Sequence, residues 1–158
     1  FNSSEITVTD INGNKTGNIN PNDWNLKKLS DATVFDQQVF QQFQESQNKG
    51  TSGFNLKNYK QNCNLPTKFT LTAFPNPMIG SDCWLNFKLQ TNLHFMYGIE
   101  IYADKFGKVF QVLGFPEKGI WQSKVNALTV HDFIYYGLFV TSDSCIYYTK
   151  GNVIGCDL

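Results

Sequence analysis

His94 and His131 are the only imidazoles in 158 residues, and a general base needs a nucleophile or an orienting carboxylate within hydrogen-bond reach. His131 directly precedes Asp132, but strand neighbours point to opposite faces, so this adjacency argues against a catalytic pair. Ser81, Ser123, Ser142 and Ser144 lack the G-x-S-x-G surroundings of a nucleophile elbow. A glycosidase pair would have to be drawn from Glu100, Asp104, Glu117 and Asp132, residues of a kind that usually sit solvated at turns. Asp10, Asn12 and Asn14 are spaced like the start of a calcium loop. An EF-hand would then need Gly and Glu where this chain has Lys15 and Pro21. A looser oxygen cage of Asp10, Asn12, Asn14 and Asn18 is the remaining metal arrangement. The expectation is no enzyme, no cofactor and no metal site, with a small hydrolase on His94 or His131 as the weakest alternative.

Rings are the richer resource, at 14 Phe, 7 Tyr and 3 Trp. Trp24, Trp84, Trp121, Tyr102, Tyr147 and Tyr148 include side chains opposite the expected core positions, where planar groups stack on sugars or anchor a protein partner. Trp84, Trp121 and Tyr102 would form the stacking surface of a carbohydrate-binding module. The alternative is a sandwich whose second face is also covered, so that these rings meet Phe35, Phe40 and Phe43. All 13 basic residues are Lys and balance 13 acidic ones, so the bidentate guanidinium forks that grip phosphates and guanine edges are absent. Nucleic acid is not an expected partner.

The elements that must position these groups divide near residue 65. Residues 1–65 read as an arm, rich in Asn and Gly at Asn12, Gly13, Asn14, Gly17, Asn18, Asn20, Asn22 and Asn25. Val34, Phe35, Val39, Phe40 and Phe43 fall on one helical face, which predicts a short amphipathic helix over about 32–46, capped by Ser30 or Asp31. Ser46 to Asn64 reads as a linker. Residues 66–158 alternate with period two between turn signals, the pattern of an antiparallel sandwich. Phe69, Leu71 and Ala73 share one face of a strand ending at Pro75, and Leu85, Phe87 and Leu89 one face of the next. Phe95, Tyr97, Ile99 and Ile101 then alternate with Met96, Gly98, Glu100 and Tyr102 up to a turn at Asp104-Lys105-Phe106-Gly107, after which Val109 to Leu113 resumes. Ile120 and Trp121, then Val125 to Val130, are short segments. Phe133 to Val140 is apolar on both faces and reads as a central strand. Ile146 to Tyr148 and Val153 to Ile154 read as a terminal hairpin turning at Lys150 and Gly151. The expected fold is mainly β, an immunoglobulin-like sandwich of about seven strands.

Cys63, Cys83, Cys145 and Cys156 contain no C-x-x-C pair, so disulfides in an oxidising compartment fit them better than zinc. Three connectivities are open to four cysteines. With a turn at Lys150 and Gly151, Cys145 faces Cys156, which leaves Cys63 for Cys83. No apolar run approaches the ~20 residues that span a bilayer. The start at Phe1 leads us to expect that a signal segment, and with it any lipid anchor, lay ahead of this chain.

Three marks fall in the order of a known family. Phe74-Pro75-Asn76-Pro77 follows the first sandwich strand. Ile101-Tyr102-Ala103-Asp104-Lys105-Phe106-Gly107-Lys108-Val109 is a strand, a glycine turn and a strand. Tyr135-Tyr136-Gly137-Leu138-Phe139-Val140 lies in the penultimate long strand. In these marks the segment from about 67 to 155 resembles the C-terminal sorting domain of Bacteroidetes proteins exported by type IX secretion. The resemblance implies an immunoglobulin-like domain in a periplasmic, outer-membrane-associated or secreted protein, which interacts with or anchors to a protein or glycan partner at the cell envelope. The chain departs from the family at Cys156-Asp157-Leu158, where a basic ending is usual.

Overall fold

The computed structural model describes residues 1–47, 56, 58–115, 119–126 and 130–156. The strands are β1 (Lys27–Lys28), β2 (Phe69–Phe74), β3 (Trp84–Thr91), β4 (Tyr97–Asp104), β5 (Val109–Phe115), β6 (Gly119–Lys124), β7 (Asp132–Val140) and β8 (Ile146–Ile154). A 3-10 turn at Leu29–Asp31 leads to the helix α1 (Val34–Gln47). Every strand pairing is antiparallel, in a five-stranded sheet ordered β1-β8-β7-β4-β5 and a three-stranded sheet ordered β2-β3-β6. Of the seven strands after the arm, the first, second and fifth thus form one sheet and the others the second, an immunoglobulin-like arrangement with its fourth strand in the larger sheet.

Period two explains the layers. Phe133, Tyr135 and Phe139 of β7 point inward with Tyr102, Tyr147 and Val153, against Leu71, Ala73, Leu85, Phe87, Leu89 and Trp121 of the small sheet. The alternate residues Ile134, Tyr136, Leu138 and Val140 point outward with Ile101, Ala103, Ile146 and Tyr148, and α1 covers them with Val39, Phe40 and Phe43. Because the sheet is buried on both sides, β7 is apolar throughout, as its sequence suggests, and takes the central position.

The helix begins two residues later than a cap at Asp31 would place it, and three later than one at Ser30. Thr33 is the cap: its Oγ1 accepts the Asp36 N–H at 3.1 Å. Asp36, fully buried in the first turn, accepts from Tyr136 at 2.7 Å, Tyr148 at 2.9 Å and Lys150 Nζ at 3.1 Å, which locks the helix to β7 and β8. Phe40 packs edge-on against both tyrosine rings. The arm before it is equally tied in. Ile6 is buried, Thr9 bridges to both Lys15 and Asn76, and β1 adds an edge to the large sheet.

Two expectations about the end of the chain are corrected. Lys150 and Gly151 are not a turn, because β8 runs straight through them, opposite Tyr136 and Tyr135. The glycine serves a close approach instead: a Cβ at 151 would stand 2.3 Å from the Trp24 ring. The real reversal is at Thr141 to Cys145, where Thr141 N–H donates to Cys145 O at 2.9 Å and Ser144 takes φ 69°. All four cysteines are in disulfides, but they pair Cys63 with Cys145 and Cys83 with Cys156. Cys145 immediately precedes β8 and Cys156 lies beyond its far end, so a strand's length separates them. By contrast the Asp104 turn forms as expected, with Asp104 Oδ1 accepting from Phe106 and Lys108, and Gly107 at φ 87°. Glu117, part of the Ser46 to Asn64 linker, residues 127–129 of the Val125 to Val130 segment, and Asp157-Leu158 lie outside the described residues.

Candidate functional site

The two sheets leave a seam bordered by β2, one edge of the small sheet, and by the segment around Trp24 that leads into β1, the edge of the large one. The arm fills this seam only in part. A cleft of about 220 Å³ remains between Thr7, Thr9, Lys15, Asn20, Asp23 and Trp24 on one side and Phe69 to Ala73 on the other. A second recess of about 280 Å³ adjoins it at Trp24, Asn25 and Phe69, continuing past Leu26 to Leu65, Pro66 and Thr67.

Trp24 stands between the two recesses and has φ 63°, a left-handed conformation that bulky residues avoid at a cost of about 1 kcal/mol or more. Three contacts hold it there. Its N–H donates to Lys150 O at 2.7 Å, its ring lies on Gly151, and its centroid is 5.8 Å from that of Tyr135. This strain, on the one large ring of the polar stretch from Asn12 to Asn25, marks the cleft as the candidate site.

Asp23 lies beside it and joins the arm to β8, accepting Thr7 N–H at 3.1 Å and Asn152 N–H at 3.3 Å. Burial pushes its carboxyl up to about 6, against those two backbone donors and the Lys150 charge. A carboxyl raised on folding stabilises the fold in its protonated form. That contribution is complete below about pH 4 and is lost as pH rises through about 6. Wild type should therefore lose stability across this window relative to Asp23→Asn, on the order of 1–2 kcal/mol after solvent screening. Urea titrations at pH 4, 5, 6 and 7 measure the difference, and parallel curves for the two proteins would refute it.

The cleft edge of β2 carries backbone groups that β3 does not use. Asn92 N–H donates to Lys68 O, so Lys68, Thr70 and Thr72 turn their backbone groups toward β3. Phe69, Leu71 and Ala73 consequently face the cleft. Ala73 O accepts Thr9 Oγ1–H at 2.8 Å, but among the described residues the outward N–H and C=O of Phe69 and Leu71 meet no partner.

The three residues expected to stack on a sugar do not form a common surface. Trp84 is 45% exposed, beneath Lys124, while Trp121 is 9% exposed and Tyr102 is 0% exposed. Trp121 is stacked between Phe87 and Phe115, with centroids at 5.1 and 5.0 Å. Tyr102 and Trp121 both point inward to Glu100, a fully buried carboxylate between the sheets. Glu100 accepts from Tyr135 at 2.6 Å, Ser123 at 2.5 Å, Trp121 Nε1 at 3.2 Å and Tyr102 at 3.4 Å. Gly137 stands directly across from it on β7. Burial raises the Glu100 carboxyl above the ordinary glutamate range, against the four donors.

The remaining groups are scattered. Asp104 closes its own hairpin. His131 Nδ1 is 2.6 Å from Asp132 Oδ1, a contact that strand alternation argued against and that forms because His131 precedes the first strand residue. His94 is exposed in the connection between β3 and β4. Asp10 accepts from the Asn12 and Asn14 amides, and the Asn14 backbone bond first of all keeps its carboxyl low, whereas Asn18 Nδ2 donates to Ser4 O and Ile6 O. The Asn18 amide is thus committed away from Asp10, and no group of three or more His, Cys, Asp or Glu side chains placed to hold a metal occurs among the described residues. No helix among the described residues is long and apolar enough to cross a membrane. No known family, curated protein or solved structure matches the chain significantly.

Proposed function

We propose that this chain is a non-catalytic recognition module, exported to an oxidising compartment of the cell envelope or beyond, that binds its partner in the cleft beside Trp24. The observation that carries this reading is Trp24 itself, held at φ 63° on Gly151 so that its ring lines both recesses along the open edge of β2. The two disulfides support export, since such bonds persist outside reducing cytosol. The resemblance of residues 67 to 155 to a type IX sorting domain supports an envelope or secreted location and an anchoring or interacting role. A lipid anchor on a preceding segment is compatible with it.

The test is a tryptophan-fluorescence titration against a glycan array and a displayed peptide library, in wild type, Trp24→Phe and Trp84→Phe. A binding hot spot is worth about 2 kcal/mol, so Trp24→Phe should weaken the best ligand roughly 30-fold and Trp84→Phe leave it unchanged. Loss of binding with Trp84→Phe alone would place the site on the outer face of the small sheet and overturn the reading.

A further inference from the structure

The chemistry of the cleft edge deepens this reading, on which it rests, by specifying what binds. We propose that the occupant is an extended peptide segment of a partner protein, added as a further strand to the free edge of β2, with a carboxylate at the end that lies beside Ala73.

Four observations converge on a strand. First, Phe69 and Leu71 present alternate N–H and C=O groups to the cleft at the repeat of an antiparallel or parallel ladder, without partners among the described residues. Second, the chain itself begins the same pairing: Thr9 exchanges backbone bonds with Asn76 at 2.9 and 3.2 Å, and its hydroxyl reaches Ala73 O before the arm turns away toward Lys15. A peptide in the cleft continues an edge that the arm has already opened. Third, the recess lined by Trp24, Asn25, Leu65, Pro66, Thr67 and Phe69 adjoins the cleft at Phe69, the first residue of β2, and supplies a pocket of mixed polar and apolar lining for one side chain of the peptide. Fourth, the charges are unequal. Asp23 spends both oxygens on Thr7 and Asn152, whereas Lys15, at the Thr9 end, has no ion-pair partner among the described residues. An acidic side chain or a peptide C-terminus complements it.

The strand geometry distinguishes this occupant from a saccharide. A sugar would use the Trp24 ring and side-chain amides. Several of those amides are already committed within the arm, Asn20 Nδ2 to Glu5 O and Asn25 Nδ2 to Pro21 O. The outward backbone groups of Phe69 and Leu71 are the ones that a further strand would pair.

The experiment selects binders from a random linear dodecapeptide phage library on the intact, oxidised protein, then measures synthetic versions of the enriched sequences by Trp24-dependent fluorescence. Single N-methylation is scanned along each peptide. The expected result is a period of two: methylation at alternate residues weakens binding about tenfold, the equivalent of one lost backbone hydrogen bond, and methylation between them has little effect. Lys15→Glu should weaken the same peptides by about tenfold or more and favour variants with Lys in place of the acidic residue. A uniform N-methyl scan, or peptides insensitive to Lys15→Glu, would overturn strand addition. So would a selection that yields no peptide while a glycan quenches Trp24, an outcome that leaves the recognition module standing with a saccharide as its ligand. Silence from peptides and glycans alike would remove the proposed function together with this inference.

Discussion

Converting Cys83 and Cys156 together to Ala is expected to destabilise the protein by roughly 4 kcal/mol, and converting Cys63 and Cys145 by about the same. The two bonds close loops with sequence separations of 73 and 82, long enough that each removes a large share of the unfolded chain's conformational entropy. Their placement adds to this. Cys83 precedes β3 of the small sheet and Cys156 follows β8 of the large one, so one bond ties the two sheets at the end of the sandwich. Cys63 ties the segment ahead of β2 to the β7–β8 turn, next to the Lys60 N–H to Ser144 O bond. A domain of this size has only about 5–15 kcal/mol in total, so the loss of both should leave it largely unfolded at 37 °C. Urea denaturation of the two double variants measures the effect. A non-reduced digest must yield the 63–145 and 83–156 cross-linked peptides, and a 145–156 peptide would contradict the fold at its C-terminal strand.

The second large effect concerns Glu100. Glu100→Leu keeps the volume of the side chain but strands Trp121 N–H and the hydroxyls of Ser123, Tyr135 and Tyr102 between the sheets, and should cost about 3–5 kcal/mol. Glu100→Gln should be tolerated within about 1 kcal/mol. Its carbonyl can accept from Trp121 and Tyr135, while its amide donates to Ser123 and Tyr102, whose hydroxyls rotate. The sign with pH follows from the raised carboxyl: its stabilisation is complete below the unfolded value and is lost as pH rises through the folded one. The Gln variant should therefore gain on wild type as pH rises. Equal losses for Leu and Gln would mean that the site requires the charge, and would contradict this description of the core.

How far the sequence foretells the molecule can be seen at particular residues. The sandwich, most of its strand positions and the central place of Phe133 to Val140 follow from alternation and from apolar character on both faces, signals local to each strand, whereas Val125 and Asn126, read as the start of a further short segment, lie outside any strand. The helix is legible from Phe35, Val39, Phe40 and Phe43, but its cap is not, because Ser30, Asp31 and Thr33 are all competent and packing chooses between them. The terminal strand is misread for a physical reason. Lys-Gly resembles a turn, and only the ring of Trp24, 127 positions earlier, shows why residue 151 has no side chain. That error carried the cysteine pairing with it. Tyr102 and Trp121 are likewise assigned to the wrong side, since alternation tells which residues share a face but not which of two buried faces meets the other sheet. Glu100 does leave a trace, as an acid in an otherwise apolar strand, directly opposite a glycine once β4 and β7 are in register. Trp24 leaves a fainter one, as the single large ring among asparagines. The open edge of β2 leaves none, because free backbone groups are a property of the assembled seam.

That edge is therefore where the account is most directly exposed to measurement. Amide hydrogen exchange of the free protein, followed residue by residue by NMR, should show Thr70 and Thr72 protected by their pairing with Gln90 and Lys88. The backbone amides of Phe69 and Leu71 in the same strand should exchange faster by about tenfold or more, because they face the cleft unpaired. Equal protection of Leu71 and Thr72 would mean that the edge is already occupied, and neither strand addition nor a binding cleft at Trp24 would survive it.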